Sequence, residues 1–180
     1  MRTLLLGLGM LASAHLGPAL AHPAPDEPAP PPSSPAGAVV PASGGEVLRQ
    51  SERGTETLKV TPEMSAQLGL ATTHMRAPGM KITPHIHVED DEAFFVHRGG
   101  GVFLLGDRKV SIAEGDVVFI PRGTVHGFEN SSNDTFLVWA ISSSKYLELH
   151  RKFFSGASPS EAEIEDLYRK YGFREAVQPP

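Results

Sequence analysis

The tripeptide His85-Ile86-His87 places two imidazoles two residues apart. On a strand, positions i and i+2 face the same way, so both rings converge on one side, as a shared metal ion requires. Glu92 follows five residues after His87, the wrong parity for one unbroken strand. The acidic stretch Glu89-Asp90-Asp91 repairs this by turning the chain, so that Glu92 opens a return strand with Phe94 and Val96 on its face. His126 is a fourth candidate, far along the chain and just after a Pro121-Arg122-Gly123 turn. Three neutral imidazoles and one carboxylate suit one divalent transition metal (iron, manganese, nickel, copper, cobalt or zinc) without selecting among them. Four protein ligands on a six-coordinate ion leave two positions for solvent, substrate or dioxygen. The competing reading is a metal-free cluster of hydrogen-bonded side chains, which must bear the cost of burying four ionisable groups.

Composition agrees with a His and carboxylate site. The chain has no cysteine, which excludes disulfides, thiolate metal sites, a cysteine nucleophile and a lipidated cysteine anchor. A net charge of -5 without a basic run argues against a nucleic-acid binder, because phosphate contacts need clustered Lys and Arg.

The elements that must position these residues read as short strands from Val47 to Ile141. The expected strands are Leu58–Val60, Gly69–Met75, Ile82–Val88, Glu92–His97, Val102–Leu105, Arg108–Ile112, Val117–Ile120, Val125–Phe128 and Phe136–Ile141. Gly106-Asp107 is a two-residue hairpin signal. Many short strands at this spacing predict an antiparallel sandwich or barrel. After Ile141 the period becomes helical. One short helix is expected over Lys145–Phe154 and a second after Ser158-Pro159-Ser160-Glu161, with Ser158 as cap, Pro159 at the first helical position and Glu161 closing the box. Ile164, Leu167, Tyr168 and Tyr171 then form one apolar stripe, with Gly172 as the stop. Both helices are expected on the outside of the barrel.

Ahead of the strands, Arg2, the apolar run Leu4 to Ala12 and the small-x-small triplet Ala19-Leu20-Ala21 predict a cleaved export signal over residues 1–21. Ala12-Ser13-Ala14 is a second cleavage candidate, and an uncleaved anchor is disfavoured because Gly and Pro interrupt an already short run. The expected location is therefore periplasmic or extracellular, without a stable membrane anchor. A mature His22 terminus offers an amine and an imidazole to copper, although a terminus on a flexible tail is ordinarily only a terminus. Residues 22–45 carry eight prolines among Ala, Ser and Gly, which predicts a disordered, semi-rigid linker. The expected domain spans 46–141 and the helical extension 142–180.

Two spaced motifs carry a family resemblance. Gly79, five residues, His85-x-His87, four residues, Glu92, six residues, Gly99 resembles the first cupin motif at every position. Gly115, five residues, Pro121-x-Gly123, two residues, His126, three residues, Asn130 resembles the second. The resemblance implies a single all-β cupin double-sheet barrel, or jelly roll, often a homodimer, with the metal inside the barrel mouth. Carried over by position, His85, His87, Glu92 and His126 look like the metal ligands. A metal-dependent enzyme on a small organic molecule is the leading expectation, most like the dioxygenase branch in which quercetinase-like proteins fall. In that reading Glu92 is a ligand or loosens to act as the base. Isomerase, lyase and decarboxylase cupins share the same pattern, and a non-catalytic binder or sensor of a small metabolite is the alternative from another class. Seed-storage cupins fit poorly, because they are usually two-barrel and lack the metal set.

The remaining residues are weaker candidates. Arg122 stands where it could meet an anionic substrate, or simply face solvent. Phe94, Phe103, Phe128 and Trp139 are candidates for lining the cavity, with core packing as the default. His74, His97 and His150 lack matching partners and read as surface or packing histidines.

Overall fold

The computed structural model describes residues 37–154 and 159–176. The expected export signal, His22 and most of the linker lie outside the described residues. No helix among the described residues is long and apolar enough to cross a membrane.

Period-2 alternation builds two antiparallel sheets. In Phe136–Ser143, for example, Phe136, Val138 and Ala140 are buried while Leu137, Trp139 and Ile141 are not. The strands are β1 (Glu46–Gln50), β2 (Gly54–Val60), β3 (Leu68–Met75), β4 (Lys81–His87), β5 (Glu92–Arg98), β6 (Gly100–Leu105), β7 (Arg108–Ala113), β8 (Val117–Ile120), β9 (His126–Glu129), β10 (Phe136–Ser143) and β11 (Phe173–Glu175). One sheet runs β1-β2-β3-β10-β5-β8 and the other β11-β4-β9-β6-β7. This is the expected jelly roll with a short C-terminal helical extension. Leu58, Met75, Phe94, Val96, Phe103, Phe128, Phe136 and Val138 form the core between the sheets. Each such side chain stabilises the fold by about 1.5–3 kcal/mol when fully buried.

Helix α1 (Ser144–Phe154) continues directly from β10, and buries Tyr146, Leu147 and Leu149. Helix α2 (Glu161–Tyr171) begins two residues later than the expected Ser158 cap. Ser160-x-x-Glu163 repeats the same box, and it is here that both reciprocal bonds form. The Ser160 amide donates to Glu163 Oε2 at 2.8 Å, and the Glu163 amide donates to Ser160 Oγ at 3.4 Å. Pro159 therefore precedes the cap, and Glu161 is the first helical residue. Gly172 ends the helix at φ 64°, in the left-handed region that glycine adopts freely.

The extension is not confined to the outside. After Gly172 the chain forms β11, a strand absent from the sequence reading, and pairs it with β4 in the register Phe173↔His87 and Glu175↔His85. Three residues behind a helix are too few to show an alternation. The end of the expected linker is also packed. The buried Lys59 ammonium donates to the carbonyls of Pro41, Ala42 and Gly44, tying that segment to the outer face of β2.

Candidate metal centre

Strand β4 delivers His85 and His87 to the barrel interior, as the i, i+2 rule requires. Strand β9 lies beside β4 with His85 and His126 paired in register. Glu92 is the first residue of β5 in the opposite sheet, so the site lies between the two sheets. The Glu89–Asp91 turn that precedes it is pinned by Arg122, whose backbone amide and Nε donate to Asp91 Oδ1 at 2.9 and 3.1 Å. The Arg122 guanidinium is thus tied to Asp91 at the surface and holds that carboxyl below its usual range. The Gly123 amide donates to the His87 carbonyl at 2.7 Å, fixing the turn before His126 to the strand that carries two of the other candidates. Asn130 of the second motif is fully buried and binds backbone around Asp134 and Ser132, a structural role.

One ligand atom from each of His85, His87, Glu92 and His126 lies within 4.8 Å of the others, and all four residues are buried. His85 Nε2 stands 3.1 Å from His87 Nε2, and His126 Nε2 stands 3.1 Å from Glu92 Oε2. His85 and His126 each donate Nδ1–H to a carbonyl two residues earlier, Thr83 and Thr124, at 2.9 Å. That fixes their tautomers, leaving a lone pair on each Nε2. The His126 lone pair then faces the Glu92 carboxyl oxygen, which puts two acceptors in contact whenever Glu92 is ionised. A shared cation resolves this conflict, so the cluster fits a divalent metal site.

Electrostatics point the same way. Burial, then the charge of His126, pulls His85 down to about 3. Burial, then His85 and His126, pulls His87 down to about 2. Both rings are therefore neutral, as ligands must be. Burial pushes the Glu92 carboxyl up, against the opposing pull of His126. An isolated buried carboxylate is unfavourable, and a cation beside it restores the charged form.

The cluster opens on a narrow cavity of about 30 Å³, lined by His85, Glu92, Phe94, Phe128, Tyr146 and His150 among others. It holds about two water-sized groups. A larger hollow of about 610 Å³ lies on the outer face of the six-stranded sheet, beside Thr72, His74 and Trp139, and contains none of the four candidates. Trp139 therefore does not line the interior cavity; its position in β10 has the outward parity. Phe103 is core, stacked on Phe128. His97 is exposed and His74 half-buried on the outer side.

His150 departs from the sequence reading. It has a partner, Glu56 on β2, bonded through Nδ1, and it lines the inner cavity. Tyr146 also belongs to the site, with its ring centroid 3.9 Å from that of His87 and 4.4 Å from that of His150. Phe173 of β11 stacks on His85 at 5.0 Å. The i, i+4 spacing of Tyr146 and His150 puts both on one face of the expected first helix, but does not say that this face meets the cavity.

Known proteins resemble this chain in sequence and in fold. The model of the family described as "Cupin domain" matches residues 73–142, which hold all four candidates. An uncharacterized protein of Aquifex aeolicus is 34% identical over 106 residues, covering 56% of this chain and 81% of that protein. An oxalate-binding protein of Thermotoga maritima is 31% identical, covering 49% of this chain and 86% of that one. An acireductone dioxygenase of Acidiphilium cryptum is 41% identical over 64 residues, covering 33% of this chain and only 35% of the enzyme. Among solved structures, a predicted oxalate decarboxylase from Thermotoga maritima superposes with a TM-score of 0.53 at 24% identity, covering 59% of this chain and 98% of that one. Two sheets closed around three histidines and a glutamate, the family match across them and relatives aligned over most of their length have one common account: the chain belongs to the cupin family.

Proposed function

We propose that this chain is an exported, metal-dependent enzyme that acts on a small organic molecule bound at a divalent transition metal, with oxygenase-type chemistry. The observation that carries the reading is the convergence of four buried ligand atoms beside a cavity, lined by His85 and Glu92, with room for about two further small groups. His85, His87, Glu92 and His126 would hold the metal, which when bound supplies a Lewis acid and open positions for oxygen ligands. Glu92 would either stay a ligand or loosen and act as a base. Phe94 and Phe128 keep bulk water from the site, and Tyr146 and Phe173 pack on His87 and His85 and hold their rings. The similarity to acireductone dioxygenase supports this reading over the matched third of that enzyme. The test is metal analysis of the purified mature protein together with oxygen uptake on enols, catechols and flavonols. Oxygen uptake surviving in a His85→Ala, His87→Ala double variant would defeat the proposal.

One observation favours a second reading, a non-catalytic carrier or sensor of a small acid. The oxalate-binding protein aligns over 86% of its own length. Tight oxalate binding by the metal-loaded protein, with no turnover of any tested substrate, would select it.

Export rests on residues 1–21 and is tested by cell fractionation and by the mature N-terminus, expected at His22. The assembly we infer is a homodimer. Val117 and Phe119 are exposed on β8, at the edge of its sheet, and a second copy related by a two-fold axis would cover them. A monomer in sedimentation would refute it.

A further inference from the structure

His150 and Glu56 stand 94 residues apart in sequence and meet on the wall of the cavity that His85 and Glu92 also line. Glu56 is buried in β2, and the His150 side chain is one quarter exposed, at 25%. His150 Nδ1 is engaged by Glu56 Oε1, while Nε2 has no partner among the described residues. A carboxylate that accepts from Nδ1–H fixes the tautomer in which Nε2 carries the free lone pair. No hydrogen bond or ring contact joins His150 to the four metal-ligand candidates, and the Tyr146 ring contacts both His87 and His150.

A purely structural staple between α1 and the barrel is the competing account. That task is already done one residue later, where Arg151 forks to Glu46 and Glu63 at 2.6–3.0 Å. A staple also has no need to face the metal cavity.

We propose that His150 and Glu56 are the acid–base pair of this cavity, acting on a small oxygen chelator with an ionisable O–H, such as an enediol, an α-hydroxy ketone or a hydroxamic acid. The proposal rests on the metal-dependent reading above. In the step, the ligand O–H bond breaks, its electron pair stays on oxygen, and the proton passes to His150 Nε2. The resulting imidazolium keeps its Nδ1–H on the Glu56 carboxylate, and the reverse transfer returns the proton to the product. His150 is the group that touches the ligand, and Glu56 positions it and stabilises its charge. The substrate class follows from the site. Two open positions on a six-coordinate ion favour an O,O chelate. A base needs an acidic proton, and a cavity of about 30 Å³ with apolar walls at Ile82, Phe94 and Phe128 has room for two chelating oxygens, so the rest of the molecule must be small. In the metal-free chain burial alone would lower the His150 pKa, but the charge and hydrogen bond of Glu56, then the charge of Glu92, raise it above its ordinary value; with a cation at Glu92, Glu56 alone would sustain the rise. The groups facing His150 are Glu56 from β2, Tyr146 from its own helix, and His85, His87 and Glu92 across the cavity.

Calorimetry of the full nickel-loaded chain with acetohydroxamic acid, a compact chelator that binds as its anion, tests the pair; nickel takes more than four ligands, whereas zinc with four protein ligands would be closed. Titrations in mildly alkaline buffers of different ionisation enthalpy count the protons released. Wild type should release few, because His150 retains the proton, while His150→Gln should release about one per ligand bound. Glu56→Gln should fall between them, with nickel content unchanged in all three. Equal release by wild type and His150→Gln, at equal nickel content, overturns the acid–base pair while leaving the metal-dependent reading in place. If His150→Gln fails to fold, Glu56→Gln decides, and release equal to wild type overturns the proposal. Failure of acetohydroxamic acid to bind nickel-loaded wild type overturns the metal-dependent reading, and the pair with it.

Discussion

His85 and His126 face each other across one rung of the five-stranded sheet, with ring centroids 4.2 Å apart, and each donates Nδ1–H to the carbonyl two residues before it. The two strands thus preset both rings with Nε2 lone pairs turned to a common point, before any ion arrives. Preorganisation of this kind removes much of the ordering cost of binding.

The first expectation is about one metal ion per chain, lost when His85, His87 or His126 becomes Ala. Removing a ligand should cost more than the roughly 10–100-fold in affinity typical of an outer-shell partner. Mass spectrometry of the purified variants measures it. Full occupancy in the His85→Ala, His87→Ala pair would mean that the ion sits elsewhere.

The glycines of the first motif should differ sharply in tolerance. Gly79 has φ 71° and nothing within 4 Å of a Cβ built on it. Gly99 has φ 77°, and its Cβ would sit 2.0 Å from the Thr135 carbonyl oxygen, a backbone atom. Gly79→Ala should cost only the conformational penalty, about 1–2 kcal/mol. Gly99→Ala adds an overpacking clash, for a total of about 2–5 kcal/mol. Urea unfolding of both variants decides, and equal losses would show that the Gly99 approach is looser than the structure has it.

The site was legible where strand parity and turn chemistry determine direction. His85-x-His87, the turn before Glu92, and His126 after Pro121-Arg122-Gly123 are local patterns, and the two sheets then bring them together. Tyr146, His150 and Phe173 were not legible as site residues. Their place depends on how α1 and β11 pack on the barrel, which no local period encodes. Glu56 had no signal at all, because its partner lies 94 residues away. The helix cap moved from Ser158 to Ser160 because two boxes of equal spacing overlap there.

Helix α2 packs on α1 and β11 of its own chain. Leu167 is half-buried in that contact, so Leu167→Asp should cost about 1–3 kcal/mol, less than at a fully buried site. The oligomeric size should not change. The sequence placed this helix on the barrel exterior, whereas the structure connects it, through β11, to the strand that carries His85 and His87. Loosening α2 frees β11, whose Phe173 stacks on His85 and whose ladder continues β4. Metal affinity should therefore fall along with the melting temperature. A melting temperature lowered at full metal affinity would show that β11 holds independently of α2.

The Glu56–His150 pair should leave a signature in stability against pH. His150 has a folded-state pKa above its ordinary value of 6.5, so between those two values the native chain holds more protons than the unfolded one. The pair's charge stabilisation is then fully present below about 6.5 and is lost as pH rises through the raised folded value. In Glu56→Gln the carboxylate that raises His150 is gone, and burial is left to lower it. The stability gap between wild type and Glu56→Gln should therefore be widest between about pH 5 and 6.5, where the imidazole is charged and carboxylates are ionised. It should narrow on the alkaline side, leaving only the neutral hydrogen bond. Urea unfolding of chelator-treated protein across this range measures the gap without interference from bound metal. A gap that stays constant with pH would mean that the pair is an uncharged hydrogen bond, and that Glu56 does not stabilise a protonated His150.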